Sequence, residues 1–170
     1  MKRLYTLILV LAIVTALQAQ TYMRLWRGGE SSRMTLSEVG DMTFLGQSID
    51  IKGTNYALAE IDSLVIMPQI TVNWKGGMAT VNVPATIKDD IEVSTLAGHV
   101  TITNKNVWNE IELTLSGNCN NGSLTYEGAY KTTIRLNGLN LTSKSGAALN
   151  IQNGKRIDLV LTNGTVNSLT

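Results

Sequence analysis

The chain carries one cysteine, one histidine and two prolines among 170 residues. One cysteine excludes a disulfide scaffold, a C-x-x-C redox centre and a zinc site built on cysteine pairs. His99 alone cannot supply the several imidazoles of a metal-activated hydrolase. Charge is sparse and balanced, with 14 Lys+Arg against 13 Asp+Glu. Removing Lys2 and Arg3 with the first nineteen residues leaves 12 basic and 13 acidic groups. That balance gives no electrostatic footprint for nucleic acid or an anionic membrane. There is no GxGxxG, no phosphate loop, no D-x-D-x-D-G loop and no Ser-His-Asp set.

Long apolar runs are confined to the start. Lys2 and Arg3 precede an apolar stretch from Leu4 to Ala16, followed by Leu17-Gln18-Ala19-Gln20, the layout of a secretory signal peptide. Thirteen apolar residues fall short of the roughly 20 that span a bilayer as a helix. Residues 1–19 are therefore expected to be cleaved after Ala19, leaving no membrane span in the mature chain and placing the protein outside the cell or on its surface. Without a cysteine at the cleavage region, a lipid anchor there is excluded. Cys119 is expected as an unpaired thiol in the polar turn between Asn118 and Asn120.

What remains divides in two. Residues 20–68 alternate short apolar runs with glycine turns (TYMRLWR, MTFLG, SIDIKG), which predicts a small β-rich module with a helical turn in TLSEVGDM. Gly53-Thr54-Asn55 reads as a turn, and Pro68 as the punctuation that ends this module. Residues 69–170 differ in composition, holding fourteen of the fifteen asparagines. Threonine and branched aliphatics suit pleated strands, while asparagine and glycine suit tight turns. This region is expected to be almost wholly β.

Its most informative feature is self-similarity. Ile111-Glu112-Leu113 recurs as Ile134-Arg135-Leu136 and Ile157-Asp158-Leu159, each 23 residues on. Val100-Thr101-Ile102, Leu124-Thr125-Tyr126 and Leu149-Asn150-Ile151 recur at 24 and 25. Two strand positions sharing one period predict stacked coils, for which a parallel β-helix is the best fit. This alignment stacks Ile111, Ile134 and Ile157 inside, likewise Leu113, Leu136 and Leu159. It sets Glu112, Arg135 and Asp158 as an outward column of alternating charge. A carboxylate pair for acid/base work is the rival reading of Glu112 and Asp158. The sequence stops at Thr170 inside the last expected coil, so missing C-terminal coils of a longer chain are expected.

Leu136-Asn137-Gly138, Gly146-Ala147-Ala148-Leu149-Asn150-Ile151-Gln152, Gly154-Lys155-Arg156 and Gly164-Thr165-Val166-Asn167-Ser168-Leu169 carry a further signal. Over residues of about 70–170 the chain resembles the secreted bacterial carbohydrate-binding β-helix proteins, of the type that binds acidic plant polysaccharides. The resemblance implies an all-β fold, a right-handed parallel β-helix, polysaccharide binding and calcium as a candidate ion, without handing over a site. In that family an Asp-Gly pair usually follows the last of those stretches, beyond the point where the sequence stops at Thr170.

Trp26, Trp74 and Trp108 are the rings able to stack on a sugar, and Lys155 and Arg156 are cations suited to an acidic one. Trp74, Trp108, Lys155 and Arg156 are the ligand-binding candidates, each with a plain packing or surface role as its rival. Asp89, Asp90 and Glu92 are the densest acidic cluster and the candidate calcium ligands, read otherwise as a solvated turn. The leading expectation is a noncatalytic polysaccharide-binding protein, and the alternative is a structural or adhesive cell-surface solenoid. A lyase or hydrolase is disfavoured, because too few carboxylates follow Gln69 to furnish its site.

Overall fold

A computed structural model describes residues 21–170, so the segment expected to be a signal peptide lies outside the described residues. The protein is all-β, with fifteen strands and one short helix among these residues. Strand β1 (Thr21–Arg27) pairs antiparallel with both β2 (Glu30–Thr35) and the first half of β6 (Ser63–Lys75). Between them, helix α1 (Leu36–Val39) starts in a capping box of Thr35 and Glu38, within the segment predicted to be helical. A meander of β3 (Met42–Leu45), β4 (Ser48–Ile51) and β5 (Thr54–Ala57) follows. Its β4–β5 turn is Lys52-Gly53, one residue earlier than predicted, because Thr54 already pairs with Ile51. Met23, Val39, Ile49 and Ile51 form the small core of this part.

The expected boundary at residue 68 falls inside β6, which runs unbroken through it. Pro68 does not end the strand. Its pairing with β1 stops at Thr21↔Pro68, and pairing of β6 with β10 (Ile111–Cys119) starts at Gln69↔Glu112. Proline has no N–H to give a ladder, and it occupies the step where the strand changes partners. The β6–β7 hairpin, with β7 at Met78–Asn82, leads through a 3-10 turn at Ala85–Asp90 to the β8–β9 hairpin of Ile91–Leu96 and His99–Asn104.

From β9 onward the chain stacks on itself in parallel. One ladder joins β9, β11 (Ser123–Gly128) and β13 (Leu149–Asn153), with Val100, Leu124 and Leu149 in line and Ile102, Tyr126 and Ile151 in line. This is the register expected from the sequence. A second ladder joins β6, β10, β12 (Thr132–Leu141) and β14 (Ile157–Leu161). The ends of β10, β12 and β15 (Ser168–Leu169) make a third, beyond a bulge at Leu115/Gly117.

In the second ladder the expected register is wrong by two residues. Ile111 lies opposite Thr132 and Thr132 opposite Ile157, while Leu113, Ile134 and Leu159 line up. The cause is turn length. Six residues separate β9 from β10, but only three separate β11 from β12 and β13 from β14. Three extra residues in the first turn shorten the first repeat from 24 to 21, and equal turns keep the next at 25. An even shift leaves the same side chains facing inward, so Ile111, Leu113, Leu115, Ile134 and Leu136 are all core.

Burying each such side chain contributes about 1.5–3 kcal/mol, provided that both neighbouring coils cover it. Leu113 and Ile134 are fully buried, whereas Leu159 on the last strand is 57% exposed. Trp74 is enclosed in this core, and its Nε1–H donates to the Gly98 carbonyl at 2.7 Å. Replacing Trp74 with phenylalanine is expected to cost about 1–3 kcal/mol, by removing that hydrogen bond and leaving a cavity where the larger ring packed in the core. Urea unfolding checks this, and an unchanged midpoint would contradict it.

Candidate functional site

Period-two alternation splits β1 into two faces. Met23 and Leu25 are buried, while Arg24 and Trp26 share the other side. On β2, Ser31 and Arg33 lie directly opposite Trp26 and Arg24. Two arginines facing each other across a strand pair repel, so this arrangement calls for a counter-ion. The counter-ion comes from the outward face of β10. The sheet order β14-β12-β10-β6-β1-β2 puts β2 three strands away from β10, roughly 14 Å at strand spacing, yet Arg33 Nη2 is 2.5 Å from Glu112 Oε1. The sheet therefore curls, bringing its β1–β2 end over β10 and β12.

Glu112 is the hub of the resulting cluster. It is 2% exposed and accepts from Arg33, from Arg135 Nε and Nη2 at 3.0 and 3.1 Å, and from Gln69 Nε2 at 3.1 Å. Arg24 Nη2 is 3.5 Å away. Burial pushes its carboxyl upward, but the hydrogen bond from Arg135 and the charges of Arg33 and Arg135 outweigh this and hold it below the usual carboxylate range. Burial lowers the Arg33 guanidinium, and the charge of Glu112 opposes that effect.

The expected charge column is thereby corrected. Thr133, not Arg135, lies opposite both Glu112 and Asp158. Glu112 and Arg135 meet diagonally, and Asp158 pairs with Arg156 at 3.2 Å. Nor is Glu112 exposed, because the curled β1–β2 hairpin covers it. A carboxylate locked by three arginines is no acid/base catalyst.

Between the hairpin and the ladder lies a cleft of about 580 Å³. Arg24, Arg33, Arg135 and Arg156 line it together with Trp26 and Asp158. Four guanidinium groups face Glu112 beneath and Asp158 at the side, with Glu110 3.9 Å from Arg24. The balance is cationic. Arg33 stacks on the Tyr22 ring, 3.4 Å from its centroid, and its buried Nε has no hydrogen-bond partner among the described residues. Planar, fixed guanidinium forks suit a carboxylate or sulfate oxygen pair.

Of the four ligand-binding candidates only Arg156 lines this cleft, beside Trp26, one of the three rings able to stack on a sugar. Its neighbour Lys155 is exposed. Trp74 is 1% exposed and offers no ring face to a ligand, because its alternation on β6 turns it inward. Trp108 is 81% exposed in the turn before β10, away from the cleft lining. Arg24, Arg33 and Arg135 were missed as ligand candidates. The signal available in the sequence was the Arg24-Leu25-Trp26 of β1 and the Ile134-Arg135-Leu136 of β12, where the arginines' outward positions follow from alternation, but their convergence depends on the curl.

Asp89, Asp90 and Glu92 are exposed around the start of β8 and do not converge. Glu92 pairs with Lys105, and Asp90 accepts from Asn106 at 3.5 Å. Among the described residues no group of three or more His, Cys, Asp or Glu is placed to hold a metal. These residues do not fit a calcium ion. Cys119 is a free thiol as expected, but it is buried at the end of β10 rather than placed in the turn. Among the described residues no helix is long and apolar enough to cross a membrane.

No curated protein and no solved structure matches the chain. Residues 97–170, from the turn before β9 to the last strand, match the family model described as carbohydrate-binding domain-containing protein, which supports a carbohydrate-binding role for the chain.

Proposed function

We propose that the protein is a noncatalytic, secreted polysaccharide-binding protein whose arginine-lined cleft takes an acidic glycan, such as one of plant origin. The observation that carries this reading is the convergence of Arg24, Arg33, Arg135 and Arg156 on one cleft beside Trp26. The family match over residues 97–170 supports the sugar class. The three parallel ladders support a right-handed parallel β-helix as the scaffold, and the exposed side chains Leu159, Leu161 and Val166 give its last described coil an open apolar end.

A uronic-acid carboxylate held between guanidinium forks gains charge-assisted, bidentate hydrogen bonds, while Trp26 at the rim offers a ring to the apolar face of a pyranose. Because the cleft is open to solvent, the attraction weakens as salt rises. A pull-down and reducing-end assay against polygalacturonate and neutral polysaccharides tests the reading. Retention of the acidic polymer with no release of sugar ends is expected. Release of sugar, or no retention of any glycan, would contradict it.

The exposed pair Lys155 and Arg156 allows a test that spares the core. Lys155→Ala with Arg156→Ala is expected to weaken hexagalacturonate binding roughly tenfold, equivalent to losing one charge-assisted hydrogen bond, with little change in melting temperature. Isothermal titration checks it, and unchanged affinity would remove the β13–β14 turn from the site. The alternative role, a structural or adhesive surface module, draws on the same open apolar end, and it takes first place if the folded protein retains no polysaccharide.

A further inference from the structure

A second concavity, unrelated to the arginine cleft, sits at the corner where the turns of the stack lie one above another. The β6–β7 turn supplies Gly76 and Gly77, the β8–β9 turn Ala97, the end of β10 Asn118, and the β10–β11 turn Asn120 and Asn121, around a hollow of about 670 Å³. Backbone hydrogen bonds tie these turns into one surface. Ala79 N–H donates to the Ala97 carbonyl at 3.0 Å, and Ser123 N–H to the Gly98 carbonyl at 3.1 Å. Gly98 and Gly122 are packed so closely that a Cβ on either would lie 2.6 Å from the other region's backbone or from Cys119 Sγ. The close packing of Gly98 and Gly122 fixes the turns that carry the hollow, and the buried Cys119 is part of its lining.

Its chemistry is opposite to that of the arginine cleft. No Asp, Glu, Lys or Arg lines it. The polar groups are the amides of the three asparagines and the ring of His99, whose Nδ1 is 2.9 Å from Ser123 Oγ. Asn118 and Asn120 are exposed, and each amide presents both donor and acceptor capacity, the pattern that matches adjacent sugar hydroxyls. The size of the hollow lies within the usual range of ligand sites. Six of its lining residues fall within the segment 97–170 that matches the carbohydrate-binding model.

From these observations we infer that the corner hollow is a second sugar subsite, selective for uncharged, hydroxyl-rich saccharide residues. This rests on the carbohydrate-binding reading but not on the arginine cleft. A chain with both sites would hold a glycan that carries acidic and neutral stretches better than one of either kind alone.

His99 is the chain's single histidine, so its ring signals in an NMR spectrum report on this hollow without ambiguity. Titration of the protein with xylohexaose and cellohexaose is expected to shift those signals. Titration with hexagalacturonate is expected to leave them in place. Asn118→Ala with Asn120→Ala, both at exposed positions, is expected to weaken binding of the neutral oligosaccharide at least tenfold without altering hexagalacturonate binding. Calorimetric binding of a neutral oligosaccharide with unmoved His99 signals would overturn the subsite, as would unchanged affinity in the double variant. Binding of hexagalacturonate alone would overturn the subsite and leave the arginine cleft standing. Failure of every glycan to bind would overturn the carbohydrate reading itself.

Discussion

Replacing Glu112 with glutamine is expected to destabilise the protein by about 3–5 kcal/mol, the usual cost of removing one partner of a buried ion pair. The side chain is nearly isosteric, so packing is preserved and the effect isolates charge. Without the carboxylate, Arg24 and Arg33 face each other across β1 and β2 while Arg135 closes in from β12, with Glu110 left as the nearest carboxylate to Arg24. For a chain of this size the loss corresponds to a drop of roughly 10 °C or more in melting temperature. A melting temperature unchanged from wild type would mean that the hairpin does not dock on the ladder through this residue.

The same carboxylate sets an acid limit. Its pKa in the folded protein is depressed despite burial, because Arg135 and Arg33 favour the ionised form. A depressed carboxylate contributes stability that is fully present above the unfolded value of about 4.3, and that stability is lost as pH falls through the folded value. The difference in unfolding free energy between wild type and Glu112→Gln should therefore be constant from neutral pH down to about 5 and shrink below about 4. A difference that stayed flat to pH 3 would contradict the assignment.

Replacing Gly117 with alanine is the second large effect. This residue forms the bulge between the second and third ladders and has φ of 95°. A Cβ there would lie 2.1 Å from the Trp74 carbonyl oxygen and 2.9 Å from its nitrogen. The obstacle is backbone of the neighbouring strand, so no side-chain rotation relieves it. Backbone strain and overpacking together predict a loss of about 3 kcal/mol or more. Gly138 provides the control, with φ of 69° and nothing within 4 Å of its Cβ position. Gly138→Ala should cost only about 1 kcal/mol, from the left-handed conformation alone. Equal midpoints for the two variants in urea would show that the close approach of β6 and β10 at Trp74 is not real.

How far the sequence could be read depended on whether a feature is set by local spacing. The ladder of β9, β11 and β13 was legible to the residue, because its repeats of 24 and 25 are marked by identical apolar-Thr/Asn-apolar triplets. The ladder of β10, β12 and β14 was legible in its faces but not in its register. Recurrence of similar triplets at 23 suggested a pairing that the six-residue turn after β9 displaces by two. Pro68 misled for a related reason: proline marks a missing donor, and a strand changing partners has one such step to spare.

The site was legible only in part. Arg156 stood out beside a glycine turn, whereas Arg24, Arg33 and Arg135 read as ordinary outward positions of three separate strands. What joins them is the curl of a sheet that runs from β14 to β2, a long-range property with no signature at any one residue. Trp74 failed as a sugar platform because a tryptophan in an alternating strand can face either way, and here it faces Gly98.

The central claim, that an arginine-lined cleft of a noncatalytic protein binds acidic polysaccharide, is tested most directly by calorimetric titration with hexagalacturonate at 20 mM and about 300 mM salt. Binding at low salt that weakens severalfold or more at high salt, with the oligosaccharide recovered intact, is the predicted result. Absence of binding at low salt, or affinity indifferent to salt, would contradict it.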